Sequence, residues 1–464
     1  MDEQNVNQRP VNPRRRRRSR MQIIKEDYLP TIIIGISLVL IIWFVIGSIV
    51  RAVQNNNYKK EVALQAEQAA QEAQKKLEDT AASLLAEASR LAKQYDYQAA
   101  IAVLDTFPGD MYAFQELADK YAEYAKLEAS LVLWDDPSQV VNLSFQPLIA
   151  EAARTFADET YGTSYYNNYI TVDEFSKILL QLYENGYILV RYSDVIKEDG
   201  TMELYIPNGK KPLIITETHV NYNTYMVDGD GDKLPDKDGA GFASKLILDE
   251  NGNLACEMVG SNGQTVTGAY DIVPILESFV ETHPDFSYRG AKAVLALTGY
   301  DGLFGYRTSA SAREFFGKAY CDQQAAEAKK VIAAVKAAGY ELACYSYENE
   351  PYGSYTAEQI KSELVLWKND VTPLLGDVSL FVMCRNSDIA EVGTAYSGEK
   401  FNVLKEAGFT DFIGFCSDGK LWFNAYSDHN RMGRILVTGS NLANHADWFD
   451  SIFDAYSVKD KARN

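Results

Sequence analysis

A long apolar segment near the start of the chain is its first clear pattern. Residues 29–50 contain no charged side chain, and residues 38–46 are all apolar. A helix needs about 20 apolar residues to cross the hydrocarbon core of a bilayer. A buried helix of a soluble protein rarely extends this far without a polar face, and the apolar part of a cleaved signal peptide is shorter, roughly 7–15 residues. The pattern therefore predicts one transmembrane helix over residues 29–50.

Arginines cluster just before this segment. Residues 14–18 and residue 20 are all Arg, whereas few basic residues follow the segment closely. Cytoplasmic flanks of membrane helices carry an excess of Lys and Arg. An Arg run is also typical of nucleic-acid tails and targeting signals, but beside a membrane span we favour topology and contact with anionic headgroups. Residues 1–28 are therefore predicted to be cytoplasmic, with the main domain outside the cell membrane.

Helical periodicity follows the apolar segment. Residues 54–80 are rich in Gln, Ala, Glu and Lys and contain neither Gly nor Pro, which is typical of a solvated helix. Residues 91–101 resemble the turn of a tetratricopeptide-type helical hairpin. One such hairpin cannot bury its apolar faces alone. Residues 51–130 are therefore predicted to form a helical stalk that packs on the next domain, associates with itself or binds a protein partner.

The pattern changes again at about residue 131. Short apolar runs such as residues 212–216 and 294–298 alternate with helical stretches. One of these helices begins with Thr171 and has Glu174 three residues later, which is the pattern of a capping box. Alternating strands and helices predict an α/β fold, a parallel sheet or barrel covered by helices, over residues 131–464. In such folds the chemistry lies at the carboxyl ends of the strands.

Charge and cysteine content narrow the function classes. The formal net charge is −19, and no basic face is apparent outside the N-terminus. An acidic body repels nucleic-acid phosphates, so we expect no nucleic-acid partner. The five cysteines show no paired spacing, which argues against a disulfide framework or a zinc knuckle. Sparse cysteines in an extracellular domain suit a Gram-positive bacterium.

Four fragments appear in the order of a known family. They are a helix followed by Gly-Tyr and an apolar strand (171–190), the strand 211–216, the segment 283–308 and the strand 339–343. In this order they resemble the polysaccharide deacetylases with a NodB-type domain, carbohydrate esterase family four. The resemblance implies a distorted (β/α) barrel that hydrolyses N-acetyl groups. It also implies a divalent metal, usually zinc, held by one Asp and two His, with a second Asp as the base.

The residues that should carry this chemistry are replaced. Thr218 occupies the position of the general base, and His219 that of the metal-binding Asp. Tyr345 and Asn349 stand where two His ligands should lie, and Arg385 falls in the third motif. Tyr and Asn are poor zinc ligands. We therefore expect no bound cofactor. The protein is predicted to be a pseudoenzyme that keeps the barrel and binds cell-wall glycan, such as peptidoglycan, without deacetylating it.

Two alternatives remain open from the sequence. The first is an active metal-dependent N-deacetylase that holds zinc with His219 and ligands not recognised in the motifs. The second is a structural protein of the cell envelope, in which the helical stalk binds a partner and the barrel is only a scaffold. Acetate release would distinguish the first alternative, and retention on glycan would distinguish the second.

Further side chains are candidates for substrate binding. Tyr222 and Tyr347 fall near the motifs, and aromatic rings stack on the apolar faces of sugars. His283, Asp285 and Arg289 lie in a fragment that carries the resemblance. The general alternative for all five residues is structural, since packing explains most aromatic side chains and an Asp beside an Arg is more often an ion pair.

An acidic loop resembles a calcium site. Asp228, Asp230, Asp232 and Asp236 occupy positions 1, 3, 5 and 9 of a loop of the EF-hand or dockerin kind. The glycine of the sharp turn and the closing glutamate of that loop are both missing. We therefore favour a solvated acidic hairpin and keep a calcium site as the alternative.

Overall fold

The computed structural model describes residues 34–45, 56–197 and 201–463. The chain divides into two compact units, one up to Ser130 and one from Leu131 onward. Of the predicted transmembrane segment, residues 34–45 are described and are helical. Across the described ranges, no helix has the length and apolar character needed to cross a membrane. The remainder of that segment and the Arg-rich residues 1–28 lie outside the described residues.

The first unit contains a long helix followed by two shorter ones. Helix α1 ends at Ala92 and α2 begins at Tyr97, so residues 93–96 form a turn between two helices. Tyr95 adopts a left-handed conformation in the turn (φ 62°), and the Asp96 side chain accepts a hydrogen bond from Ala99 N. From residue 56 to the end of this unit, the α-helices are α1 Asn56–Ala92, α2 Tyr97–Leu104 and α3 Gln115–Glu128.

The second unit is built around a closed barrel of parallel strands. Seven strands pair in the ring order β2-β5-β9-β10-β11-β12-β14, and β14 pairs back with β2. This confirms the predicted α/β barrel. The ring strands are β2 Val141–Phe145, β5 Lys211–Thr218, β9 Val294–Leu297, β10 Glu341–Cys344, β11 Leu380–Val382, β12 Asp411–Phe415 and β14 Asn430–Leu436.

Smaller strands and helices surround the ring. One short strand adds to β5 in parallel, one pairs antiparallel with β14, and the others form a pair and a three-stranded antiparallel sheet. These strands are β1 Val132–Trp134, β3 Tyr187–Leu189, β4 Leu204–Ile206, β6 Lys245–Leu248, β7 Leu254–Val259, β8 Thr265–Gly268 and β13 Phe423–Ala425. The helices are α4 Ala152–Phe156, α5 Gly162–Asn168, α6 Val172–Glu184, α7 Tyr192–Val195, α8 Thr224–Val227, α9 Ile272–Thr282, α10 Ala310–Phe316, α11 Lys318–Ala337, α12 Ala357–Asp370, α13 Thr372–Leu375, α14 Gly398–Glu406 and α15 Gly439–Asn444.

Helix α6 shows how local sequence sets one boundary. The Thr171 side chain accepts a hydrogen bond from Glu174 N, and the Glu174 carboxylate accepts one from Thr171 N. The predicted capping box is thus confirmed. Glu174 is fully buried and also pairs with Arg463 at 2.6 Å, so the same cap fixes the C-terminal segment against the barrel.

Strand β5 separates two layers of different polarity. Leu213 and Ile215 belong to the main apolar core together with side chains of the surrounding helices. Successive side chains of a strand point to opposite faces, so Thr216 and Thr218 face the barrel interior. There the Thr216 hydroxyl donates to Asn142 Oδ1 on β2 at 2.9 Å. Because all seven strands are parallel, their carboxyl ends meet at one end of the barrel.

Candidate functional site

A cavity of about 200 Å³ lies at the carboxyl ends of the barrel strands. Its walls come from the ends of six strands or the loops that follow them. The lining residues are Ser144, Phe145, Gln146, Thr218, His219, Tyr345, Asn349, Arg385, Asn386, Phe415, Arg434, Leu436, Val437 and Thr438.

The five altered motif positions all line this cavity. Thr218 and His219 come from the end of β5, Tyr345 and Asn349 follow β10, and Arg385 follows β11. These residues are up to 167 positions apart in the chain and share only their place after a parallel strand. The positions at which the resemblance places the reaction centre therefore lie together in one cavity.

His219 lies against this cavity with an unsatisfied ring nitrogen. Its side chain is buried, and Nδ1 has no hydrogen-bond partner among the described residues. Burial, and then the positive charge of Arg385, lower the pKa of His219 to about 4. The imidazole is therefore neutral at physiological pH, and it meets the Tyr345 ring edge to face at 5.0 Å between centroids.

Thr218 and Tyr345 are fixed by the barrel interior. The Thr218 hydroxyl donates to Phe145 O on β2 at 3.1 Å, so it is engaged with the backbone. Burial raises the pKa of Tyr345, although hydrogen bonds with Thr218 and Arg434 act in the opposite direction. Neither side chain can therefore act as a base at neutral pH.

Arg434 forms the inner wall of the cavity, and sequence reasoning missed it. Its side chain is fully buried, and burial lowers the pKa of the guanidinium. It donates to Ser144 Oγ at 3.2 Å and to the carbonyl oxygens of Met383, Ile413 and Gly414 at 2.7, 3.0 and 3.0 Å. The available signal was an Arg at an alternate position of a strand, because alternation places it on the same face as Met432.

The backbone around the cavity is conformationally unusual. His219, Asn349, Arg385 and Asn386 all have positive φ values, between 51° and 63°. This region is disfavoured for residues with a side chain, and such conformations cluster at functional sites. The loop that carries Asn349 is fixed by the buried Glu363, whose carboxylate accepts hydrogen bonds from the backbone of residues 347 and 348 at 2.9 and 3.0 Å.

The two tyrosine candidates lie outside the cavity lining. Tyr222 is fully buried in the apolar core, with its hydroxyl 3.6 Å from Cys256 Sγ. Tyr347 is also buried, and its hydroxyl donates to Asp370 at 2.5 Å. Both rings turn into the helix layer because apolar packing there removes more of their surface from water than a rim position would.

His283, Asp285 and Arg289 lie at the opposite end of the barrel. They follow α9 and precede β9, which places them at the amino ends of the strands. His283 stacks on Phe279 at 4.5 Å between centroids, and Asp285 lies 3.7 Å from Lys210. The structure therefore does not bring these three candidates to the cavity.

The cavity does not fit the zinc site that the resemblance implies. Of its lining residues, His219 is the only one of the His, Cys, Asp and Glu types that bind zinc well. Within the described parts of the chain, no group of three such side chains converges at the barrel mouth. The donor set needed to hold a divalent ion is therefore missing here.

The acidic loop brings three of its four carboxylates together. Oxygen atoms of Asp228, Asp230 and Asp236 lie within 4.8 Å of one another, whereas Asp232 is not part of this group. Asp236 accepts hydrogen bonds from four backbone N–H groups, those of residues 229, 230, 238 and 239. These bonds account for the turn without an ion; the solvated hairpin stays the prediction and a calcium site its alternative.

Comparisons with known proteins give little further guidance. No protein-family model matches the chain. No curated protein matches it either. A solved structure, the Streptococcus pyogenes deacetylase PplD in complex with acetate, is similar over 65% of this chain and 93% of that chain, with 11% identity and a TM-score of 0.35. A likeness at this level carries no argument about family or function.

Proposed function

We propose that the barrel binds cell-wall glycan and does not deacetylate it. The observation that carries this proposal is the cavity itself. Five positions from three motifs of the polysaccharide deacetylases line one concavity, yet their side chains lack a base and a metal-binding set. A concave site with several polar side chains suits a polar ligand such as a sugar.

The absence of deacetylation follows from the replaced groups. Attack on an N-acetyl carbonyl requires an activated water and a base to remove its proton. Thr218 donates its hydroxyl hydrogen to a backbone carbonyl and cannot accept a proton at neutral pH. His219 has a pKa lowered to about 4, which makes its imidazole a weak base. The cationic Arg434 beside them would also oppose binding of a divalent metal ion.

Acetate release and glycan retention test the proposal together. Full-length protein is incubated with zinc and N-acetylated peptidoglycan, and we expect no acetate above the level of a protein-free control. The same protein should be retained on insoluble peptidoglycan. Release of acetate would favour an active deacetylase, and failure to bind glycan would favour the scaffold protein.

Paired histidine variants locate the binding. His219→Ala removes a cavity side chain, whereas His445→Ala removes an exposed ring outside the cavity lining. We expect the first variant to reduce retention on peptidoglycan and the second to leave it unchanged. Equal retention of both variants would place glycan binding elsewhere on the molecule.

We further propose that residues 29–50 anchor the protein, with the barrel outside the cell. The support is the uncharged segment and the arginines that precede it. After alkaline carbonate extraction the protein should stay with the membrane fraction, and protease added to intact wall-free cells should digest the barrel. Protection from external protease would contradict this topology.

A further inference from the structure

The cavity has the opposite charge character from the rest of the protein. Two of its lining residues, Arg385 and Arg434, are cationic, and none is Asp or Glu. The chain as a whole has a formal net charge of −19. A concave site of one charge sign attracts ligands of the opposite sign, because its low-dielectric walls focus the field.

Arg434 differs from the other buried arginines in its partners. The side chains of Arg307, Arg431 and Arg463 are at most 5% exposed, and each lies within 4.0 Å of a carboxylate. Arg434 is 0% exposed, and within the described ranges it pairs with no carboxylate. Its acceptors are the hydroxyls of Ser144 and Tyr345 and three backbone carbonyls, all neutral.

A buried cation without a counter-charge is costly, because it loses hydration without gaining an ionic partner. The protein supplies a carboxylate to its other buried arginines, so the missing partner of Arg434 is specific to this cavity. An anion that enters the cavity would supply the negative charge. Arg385 at the exposed rim reinforces this, because it forms no hydrogen bond or ion pair with any described residue.

Two further side chains offer unused polar atoms to such a ligand. His219 Nδ1 and Asn349 Oδ1 are buried atoms of cavity residues without a hydrogen-bond partner among the described residues. A neutral imidazole can carry its proton on Nδ1, and rotation of the Asn349 amide would turn its NH2 group toward the same place. Both groups can then donate to an anion, and hydrogen bonds to charged acceptors are stronger than neutral ones.

We propose that this cavity binds an anionic substituent, a carboxylate or a phosphate, carried by a sugar of the glycan. The inference rests on the proposed glycan binding for the source of the anion. Arg385, His219 and Asn349 contact the anionic group, and Arg434 supplies a fixed positive charge behind them. A volume of about 200 Å³ corresponds to roughly seven water molecules, so the anion enters with part of its sugar.

Matched sugars separate charge from shape. Full-length protein in a non-ionic detergent is titrated by calorimetry with glucuronic acid, glucose 6-phosphate and glucose at equal ionic strength. We expect at least one acidic sugar to bind about tenfold or more tightly than glucose. A stronger signal with glucuronic acid identifies a carboxylate, and a stronger signal with glucose 6-phosphate identifies a phosphate. Equal affinities for all three sugars, or no binding of any, would overturn the proposal.

Two exposed arginines provide the variant and its control. Arg385→Gln removes the rim cation, whereas Arg313→Gln removes an exposed cation of α10 that does not line the cavity. The first change should weaken the preferred acidic sugar by about tenfold, and the second by less than about twofold. The same effect of both variants would overturn the assignment to this cavity.

Imidazole resonances give a second measurement that does not depend on any Arg substitution. The chain has only four histidines, and His219→Ala assigns the signal of the cavity ring. Saturating acidic sugar should shift the His219 resonance and leave that of the exposed His445 in place. An unmoved His219 signal in a protein saturated with acidic sugar would also overturn the proposal.

The anion proposal and the glycan proposal can fail separately. If peptidoglycan retains Arg385→Gln as well as wild type, and free acidic sugars do not compete, the anion inference is wrong while glycan binding stands. If acidic sugars bind through Arg385 but peptidoglycan is not retained, the anion inference stands and the glycan proposal is wrong.

Discussion

Strand β5 has one face toward the barrel interior and the other toward the helix layer, and each face adjoins buried ionisable groups that lack a partner of opposite charge. On the interior side, Thr218 and His219 line the same cavity as the cationic Arg434, and no carboxylate lines it. On the outer side, Glu217 lies close to Asp271, and the charge that acts on its pKa is that of this second carboxylate. The same strand thus separates a positive environment from a negative one.

The outer pair is closed to solvent. Glu217 and Asp271 are at most 1% exposed. Asp271 Oδ1 accepts hydrogen bonds from Leu148 N and Ile272 N, both at 2.9 Å, whereas the Glu217 carboxyl has no backbone donor among the described residues and its hydrogen-bond partner is the Asp271 carboxyl. Burial, and then the charge of Asp271, raise the pKa of Glu217 well above its usual value.

The difference between the two faces is access. No ligand can reach the outer pair, and burial raises the pKa of Glu217, which favours the uncharged form of that carboxyl. Arg434 on the inner side lines a cavity, so a ligand that enters from solvent can supply the opposite charge. The comparison suggests that unpaired charge is structural on the closed face and functional on the open face, and three substitutions test it.

The largest effect is expected from Arg434→Met. Met fills much of the same volume but leaves Ser144 Oγ and the carbonyls of Met383 and Gly414 without the Arg donor, whereas Ile413 O keeps its bond from Met383 N. Each buried unsatisfied group costs roughly 1–3 kcal/mol. We expect the free energy of unfolding to fall by about 4 kcal/mol or more, measured by urea denaturation at pH 7. Arg434→Lys keeps the charge but has fewer donors, so its free energy of unfolding should lie between that of wild type and that of Arg434→Met. A Met variant as stable as wild type would mean that the buried charge costs as much as its hydrogen bonds contribute.

Much of this arrangement follows from the sequence because it depends on local pattern. Apolar runs of residues such as 212–216 predicted the barrel strands, and the carboxyl ends of parallel strands must meet. The sequence alone therefore leads one to expect Thr218, Tyr345 and Arg385 close together in space. Closure of the ring by β14 could not be predicted in this way, because strand pairing between distant segments leaves no periodic signal.

The missed features depend on which way a side chain turns. Tyr222 follows a strand at the correct end of the barrel but turns into the helix layer. His283 belongs to a fragment that carries the family resemblance, but it precedes its strand and so lies at the other end. Alternation along β5 and β14 assigns Glu217 and Arg434 each to one face of its strand. The sequence alone does not tell which of the faces is closed to solvent.

His219 should contribute the next largest effect, through acid stability. Its pKa is lowered from 6.5 to about 4 in the folded protein, so the unfolded chain binds the proton more readily. The contribution of the neutral His219 to the free energy of unfolding is complete above pH 6.5 and is lost as the pH falls toward 4. A shift of this size corresponds to about 3 kcal/mol. His219→Asn, which keeps a residue type that tolerates positive φ, should lose less stability than wild type between pH 7 and 4.

The histidine comparison needs an exposed counterpart, because many carboxylates also titrate in this range. His445 is exposed on α15's C-terminal side, and His445→Asn should follow the wild-type curve. If His219→Asn followed it too, the imidazole would be reached by solvent in the folded state, and the open face would not hold a desolvated group.

Glu217→Gln tests the closed face, and its effect should be smallest at pH 5 and grow as the pH rises. Because the folded pKa of Glu217 is raised, its contribution to stability is complete below the unfolded pKa and disappears as the pH rises through the folded pKa. Between the two pKa values the free energy of unfolding changes by up to about 1.4 kcal/mol for each pH unit. Gln has nearly the same shape and does not titrate, so the variant should lose less stability than wild type as the pH is raised. Urea denaturation at intervals from pH 5 to 9 measures the difference, with Glu314→Gln at an exposed position of α10 as the control. If the two variants gave parallel curves, Glu217 would not hold a proton in the folded protein, and the closed face would need a counter-charge other than the residues that now surround it.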